Sequence, residues 1–166
     1  MWVGILSDTH NNQDNTRKAL AVFQERGIRR LFHCGDLIEA RMAPLFTGFQ
    51  VTFVRGNVDR DIFTLEQAVQ AVPGLTWAGR EASVELAGRW LAMCHGDDPR
   101  QLNDLIHCGV YAWVLHGHTH RQRDVRFGPT RVINPGALGG KVDGPRSVCI
   151  LDPENDQMEV VIIENR

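Results

Sequence analysis

The sequence predicts a layered α/β (α+β) domain, because strands alternate with a helix in its first half and strands dominate its second half. Three short segments, Trp2–Leu6, Arg30–His33 and Val51–Val54, have the apolar character and the abrupt polar endings of buried strands. Between the first two, residues 14–26 place apolar side chains at helical spacing before the stop signal Gly27. This alternation is typical of parallel strands joined by helices.

Short strands and turns characterise the second half of the chain. Ser83–Leu86 and Trp90–Cys94 predict a hairpin, and Asp98 is a suitable N-cap for a helix that begins at Pro99. Tyr111–Leu115 predicts a further strand, and the remaining residues alternate between strand and turn signals. Since no repeat, low-complexity tract or linker interrupts the sequence, we expect one domain over residues 1–166.

The charge balance argues against a protein that binds nucleic acid through a broad basic face. The 166 residues carry a formal net charge of -2, whereas such proteins are usually strongly basic. The candidate basic clusters are Arg29–Arg30 and the group Arg121, Arg123 and Arg126, and both are more typical of solvated surface. A nucleotide remains compatible with this composition.

The cysteine pattern and the start of the chain indicate a cytoplasmic protein with no membrane association. The four cysteines are scattered and form no Cys-x-x-Cys pair, which favours buried free thiols over disulfides or a zinc knot. The first residues lack a basic leader and a long apolar stretch, and no window has the length of a membrane helix.

Residues that can bind metal follow five of the predicted strands. Alone, each motif more often forms a turn or a helix cap, or supplies a structural histidine, than it binds a metal. Together they indicate a metal site, because the carboxyl ends of neighbouring strands in an α/β sheet meet at one edge. The five motifs are Asp8-Thr9-His10, Gly35-Asp36, Gly56-Asn57, His95-Gly96 and Gly117-His118-Thr119-His120.

The ordered set of motifs resembles the calcineurin-like metallophosphoesterases. Chain length and the turn Asn134-Pro135-Gly136 are similar to those of the small single-domain bacterial and archaeal phosphodiesterases in that family. The resemblance extends from about Trp2 to about Leu138. It implies a β-sandwich flanked by helices, with a two-metal site at the C-terminal ends of the strands.

The resemblance also implies a role for each metal-competent residue. One divalent ion would be held by Asp8, His10 and His120, and a second by Asn57, His95 and His118. Asp36 would bridge both ions, and Asp36, Asn57 and His95 would hold the ions around a hydroxide nucleophile. Manganese is the expected metal, and imidazole, carboxylate and amide ligands also suit iron, zinc, cobalt or nickel.

The activity that the resemblance implies is hydrolysis of a small phosphoester, with a phosphodiester as the expected substrate. A phosphomonoesterase or nucleotide hydrolase is an alternative. A second alternative is a catalytically silent scaffold, like the eukaryotic retromer subunit that is similar to these enzymes. Catalysis is favoured because every ligand position holds a competent side chain. The sequence is compatible with a homo-oligomer.

Two arginines and two histidines lie close to the ligand motifs without matching them. Arg55 and Arg60 flank Gly56-Asn57 and could bind a substrate phosphate, although surface placement is an equal alternative. His33 is expected to be a packed histidine or one that supports a metal ligand, and His116 to hydrogen-bond to a neighbouring ligand.

The chain departs from the family at two positions. Many members carry His after the Gly-Asn pair, whereas this chain has Val58, which cannot donate a proton. Many small relatives also carry His after the Gly that follows the ligand His, whereas Asp97 stands here. Asp97 would either add negative charge to the cleft or turn away to help cap the next helix.

Overall fold

The computed structural model describes residues 1–163. They contain eleven strands, three α-helices and one 3₁₀ helix, joined by loops. The strands are β1 (Val3–Leu6), β2 (Arg30–His33), β3 (Gln50–Phe53), β4 (Leu75–Trp77), β5 (Glu81–Leu86), β6 (Arg89–Cys94), β7 (Tyr111–Leu115), β8 (Arg123–Phe127), β9 (Thr130–Asn134), β10 (Arg146–Asp152) and β11 (Gln157–Ile163). The helices are α1 (Gln13–Glu25), the 3₁₀ helix (Ala40–Phe46), α2 (Ile62–Gln70) and α3 (Pro99–His107).

The strands form two sheets, and the parallel strands of each sheet point their C-terminal ends in one direction. The first sheet has the order β11-β10-β1-β2-β3-β4, in which β1 to β4 are parallel. The second has the order β5-β6-β7-β9-β8, in which β6, β7 and β9 are parallel. Leu6 pairs with His33, and His33 with Phe53, so β1, β2 and β3 end at one edge.

Apolar side chains from both sheets fill the space between them. Ile5 and Phe32 of the first sheet share a buried cluster with Leu91 and Trp113 of the second. A separate cluster packs α1, the 3₁₀ helix and α2 against the outer face of the first sheet, and a small one packs α3 against the second. The fold is therefore a β-sandwich flanked by helices, which confirms the predicted fold class.

The predicted elements are found, and two further elements had no clear sequence signal. The hairpin is β5 and β6, and Asp98 caps α3 by accepting from the N–H groups of Arg100 and Gln101. The prediction omitted α2 and β4. α2 has nine residues and β4 has three, so each is shorter than the stretch over which a hydrophobic periodicity can be recognised. Every helix within residues 1–163 is too short or too polar to span a bilayer.

Candidate metal centre

The loops that follow β1, β2, β3, β6 and β7 bring all seven predicted ligands to one cleft. Five of the seven have a positive φ, between 42° and 65°, in the left-handed region that non-glycine residues seldom adopt. Such strained residues concentrate at functional sites and persist only where the surrounding structure fixes them. The five are Asp8, His10, Asp36, His118 and His120.

Asp8 lies at the buried end of the cleft and has one oxygen without a hydrogen-bond donor. Its Oδ2 accepts from Ser7 Oγ at 2.6 Å and from the backbone N–H of His118 at 3.1 Å. Its Oδ1 is buried and accepts no hydrogen bond, although it lies 3.2 Å from His120 Nε2 and 3.8 Å from His10 Nε2. The two imidazole Nε2 atoms are 3.1 Å apart. One donor atom from each of four residues, Asp8, His10, Asp36 and His120, lies within 4.8 Å of the others, and we call these residues the Asp8 group.

Asp36 joins this group to a second set of ligands. Its Oδ1 accepts from the backbone N–H of Val58 at 3.1 Å. Its Oδ2 lies 3.3 Å from His10 Nε2 on one side and 3.3 Å from His95 Nε2 on the other. A single carboxylate oxygen therefore faces imidazoles from both halves of the cleft, which is the position that a bridging ligand requires.

The second half of the cleft is centred on the amide oxygen of Asn57. Asn57 Oδ1 is 3.0 Å from His95 Nε2 and 3.1 Å from His118 Nδ1. Asn57 and His118 are exposed, whereas His95 is buried, so this half opens to solvent. We call Asn57, His95 and His118 the Asn57 group.

Backbone carbonyls fix the orientation of two imidazoles. His95 Nδ1 lies 2.7 Å from the carbonyl of Cys34, and His120 Nδ1 lies 2.7 Å from the carbonyl of Lys141. A carbonyl only accepts, so both Nδ1 atoms carry the proton and, in the neutral rings, both Nε2 atoms present lone pairs to the cleft. Backbone contacts of this kind orient metal-binding histidines.

The electrostatics of the cleft reflect opposed effects of burial and charge. Burial by itself would raise the pKa of Asp8, but His10 and His120 outweigh it and lower that pKa to about 2. Asp36 and then Asp8 raise the pKa of His10 to about 9. Burial disfavours charge on His95, yet Asp36 and Asp8 raise its pKa to about 9 as well. Without a metal, protons on these imidazoles supply the positive charge that the carboxylates need.

The spacing and chemistry of the seven side chains fit divalent metal ions. Two ligands bonded at about 2.1 Å to one ion lie roughly 3 Å apart, and the contacts within the cleft range from 3.0 to 3.8 Å. Imidazole, carboxylate and amide oxygen are ligands of first-row transition metals. The unpartnered Asp8 Oδ1 is the buried atom that such an ion would satisfy.

Two buried polar residues, Asp59 and Asn134, hold the loops that carry the candidate ligands. The metal-binding motifs do not indicate this supporting role. Asp59 accepts from three backbone N–H groups, those of Asp36 at 3.1 Å, Ile38 at 2.7 Å and Gly56 at 2.7 Å. It thereby ties the loop of Asp36 to the loop of Asn57. Asn134 donates to the carbonyl of Gly117 at 2.7 Å and so supports the loop of His118. The turn Asn134-Pro135-Gly136 was a sequence signal for the second support only.

The histidines and arginines next to the motifs fall outside the ligand atoms. His33 is buried between Phe46 and Phe53 and contacts Thr9, which confirms that it is a packed residue. His116 is buried, contacts the carbonyl of Gly117, and has a pKa lowered to about 4 by burial.

Arg55 and Arg60 were the predicted substrate contacts. Arg55 is partly buried, and its Nε–H donates to no partner within residues 1–163, whereas Arg60 is exposed.

We expect the affinity for Mn²⁺ to increase as the pH is raised from 6 to 8. His10 and His95 have pKa values of about 9 in the folded protein, so over this range a bound ion must displace their protons. Each displaced proton adds about a 10-fold change in apparent affinity per pH unit. Calorimetric titration with Mn²⁺ at pH 6, 7 and 8 measures the slope, and a pH-independent affinity would contradict the assignment.

The same pKa shifts make the metal-free protein less stable as the pH rises, whereas the affinity for metal is expected to increase. The raised histidine pKa values contribute stability that is complete below about 6.5 and lost as the pH approaches 9. The increase in melting temperature on adding Mn²⁺ should therefore be larger at pH 8 than at pH 6.

We expect Gly56→Ala to weaken metal binding at least about 10-fold, in the range measured when groups that orient metal ligands are removed. A Cβ at position 56 would lie 2.0 Å from Asp36 Oδ1 and 2.4 Å from Asp36 N, so the Asp36 carboxylate must move. Gly88→Ala, in the β5–β6 turn, is the control, because a Cβ there meets nothing within 4 Å and the substitution strains only a turn residue with a φ of 73° that is not among the metal-binding motifs. Titration of both variants with Mn²⁺ measures the effect. Parent-like binding by Gly56→Ala would mean that the position of Asp36 does not determine the affinity for metal.

Comparison with known proteins identifies the family and confirms the resemblance read from the motifs. The model of the calcineurin-like phosphoesterase superfamily domain matches residues 1–156. A phosphodiesterase of Methanocaldococcus jannaschii is 28% identical over 166 residues, covering 99% of this chain and 100% of that protein. The solved structure of an archaeal phosphodiesterase, also 28% identical, matches with a TM-score of 0.91 over 98% of this chain and 99% of that one.

A more distant structure shares the fold alone. Vacuolar protein sorting 29 of Cryptosporidium parvum is 20% identical and matches with a TM-score of 0.67 over 97% of this chain and 95% of that one. The family match covers most of the sequence and includes all seven residues of the cleft, and the chain therefore belongs to the calcineurin-like phosphoesterase superfamily.

Proposed function

We propose that this protein is a metal-dependent phosphodiesterase that works as one domain. The observation that carries the proposal is the position of Asp36 Oδ2, 3.3 Å from both His10 Nε2 and His95 Nε2. The Asp8 group would hold one divalent ion and the Asn57 group a second, with Asp36 shared between them. The similarity to phosphodiesterases over nearly the whole chain supports this activity.

A pair of divalent ions, once bound, makes a water acidic enough to supply hydroxide and neutralises phosphate charge. The residues of the chain contribute fixed positions for the donor atoms. The Cys34 carbonyl holds His95 with Nε2 toward Asp36, and the Val58 N–H holds Asp36 Oδ1 so that Oδ2 faces both halves. Manganese is the metal we propose, since this mixture of nitrogen and oxygen ligands suits it.

The formal charge of the site favours a diester over a monoester. Two divalent ions bring four positive charges, of which the carboxylates of Asp8 and Asp36 cancel two. The hydroxide and a diester monoanion together neutralise the two remaining positive charges. A monoester dianion in place of the diester would leave one negative charge in excess. Unbalanced charge costs more where burial limits solvation, and Asp8, Asp36 and His95 are buried.

We expect manganese-reconstituted protein to hydrolyse bis(4-nitrophenyl) phosphate faster than 4-nitrophenyl phosphate, for the charge reason given above. Elemental analysis after desalting should approach two equivalents of manganese per chain. Faster turnover of the monoester would reassign the protein as a phosphomonoesterase. Two bound equivalents with no turnover of either ester would favour the scaffold alternative, and stoichiometry that saturates at one would contradict the two-ion site.

We expect Asp36→Asn to lower kcat more than His10→Ala does, because Asp36 faces both halves of the cleft and His10 belongs to one. The amide keeps the shape of the side chain and removes its charge, so the loss should be at least about 10²-fold, as for other pre-organised electrostatic groups. Both variants are assayed on bis(4-nitrophenyl) phosphate at saturating Mn²⁺. Parent-like turnover by Asp36→Asn would refute the bridging role.

A further inference from the structure

Two arginines outside the ligand set lie at the same edge of the sandwich as the metal centre. Arg55 follows β3 and precedes Gly56-Asn57, and its backbone N–H donates to the carbonyl of Gly79 at 2.7 Å. Arg80 comes directly after Gly79, where the chain leaves β4 and crosses to β5. The next residue, Glu81, pairs with Cys94, which immediately precedes His95. Both arginines therefore belong to the rim beside the Asn57 group.

The charges of these two arginines are weakly compensated. Arg55 has a buried Nε without an acceptor, and it forms no ion pair within residues 1–163. Arg80 Nη2 lies 3.5 Å from Asp97 Oδ2, in a pair whose side chains are 51% and 20% exposed. An ion pair this long and this exposed contributes little stability.

Asp97 is the acid on this rim that is left to face Arg80. The neighbouring Asp98 is occupied as the N-cap of α3, where its Oδ1 accepts from two backbone N–H groups. Glu81 accepts from the side-chain amide of Gln101 at 2.9 Å. The sequence left open whether Asp97 adds charge to the cleft or helps to cap the helix, and the structure assigns the cap to Asp98 alone.

We propose that Arg80 and Arg55 bind a second anionic group of the substrate, and that Asp97 pairs with Arg80 until this group displaces it. The inference rests on the proposed phosphodiesterase function and narrows its substrate class. The substrate is a phosphodiester whose retained ester group carries a further oxyanion, such as a carboxylate or phosphate. Guanidinium groups match the planar geometry of such oxyanions and bind them through paired hydrogen bonds.

The test compares two diesters that share the 4-nitrophenolate leaving group and differ by one carboxylate: phenyl 4-nitrophenyl phosphate and 3-carboxyphenyl 4-nitrophenyl phosphate. The readout is the ratio of their kcat/KM values. We expect the parent to prefer the carboxylated diester by about 10-fold, the range of a charge-assisted hydrogen bond. Arg80→Gln should bring the ratio close to one, and Arg55→Gln should lower it. Arg29→Gln, at an exposed position before β2 and thus at the opposite end of the sheet, should leave it unchanged.

A double-mutant cycle separates the Arg80–Asp97 pair from the general effect of removing a negative charge. Asp97→Asn should raise the ratio by about 2- to 5-fold, as expected for breaking a partly exposed ion pair. The same substitution in the Arg80→Gln background should leave the ratio unchanged. An equal increase in both backgrounds would overturn the role of Asp97, and a parent-like ratio in Arg80→Gln would overturn the anion position itself.

A binding measurement distinguishes failure of this inference from failure of the proposed function. Calorimetry with 3-carboxyphenyl phosphate and phenyl phosphate, on the manganese-loaded protein, requires no turnover. Hydrolysis of both diesters at equal rates, with equal product affinities, would refute the inference and leave the phosphodiesterase function standing. Absence of hydrolysis, with tighter binding of the carboxylated compound that Arg80→Gln abolishes, would refute the activity and retain the anion position.

Discussion

The candidate centre brings together more hydrogen-bond acceptors than donors. This excess of acceptor atoms is the constraint on which the rest of the site depends. Asp8 Oδ1, Asp36 Oδ2 and Asn57 Oδ1 can only accept, and the neutral rings of His95 and His120 present unprotonated Nε2 atoms beside them. Such a set repels itself unless cations lie between its members. Protons on the imidazoles serve this purpose in the metal-free protein, and divalent ions would replace them. The same constraint accounts for the raised histidine pKa values and is the reason why metal binding is expected to depend on pH.

The backbone holds these mutually repelling groups at a considerable energetic cost. Each left-handed non-glycine residue costs on the order of 1–3 kcal/mol, and five ligands adopt that conformation. The parallel strands fix where each loop begins, and Asp59 and Asn134 fix the loops to one another through buried hydrogen bonds. Glycines permit the close contacts: a Cβ at Gly117 would lie 1.9 Å from Ser7 Oγ and 2.5 Å from Asp8 Oδ2. The sandwich core supplies the stability that permits this strained edge.

The convergence of the seven candidate ligands could be predicted from the sequence because every motif follows a strand whose C-terminal end reaches the same edge, whereas their assignment to two ions came from the resemblance to the family. The predicted positions needed no knowledge of the loops between them. Asp59 matches none of the motifs, and only the structure shows that its carboxylate accepts from three backbone N–H groups. The proposed role of Arg80 could not be found in this way, because the β4–β5 crossover that brings it beside Asp97 follows a strand of three residues with no periodic pattern. Contacts that depend on chain crossings between sheets leave no local signal.

A sandwich of this kind does not by itself determine the chemistry that a protein performs. The informative feature is that this chain buries the carboxylates of Asp8 and Asp36 at the C-terminal edge of its parallel strands. Beside neutral imidazoles, the buried Asp8 Oδ1 has no hydrogen-bond donor, and an unsatisfied buried oxygen costs about 1–3 kcal/mol. A protein that served only as a scaffold would gain stability by replacing Asp8 and Asp36 with apolar residues, as is often found for buried ionic groups. The complete set of seven competent side chains is thus hard to explain by packing, and binding of metal ions is the role that offsets its cost.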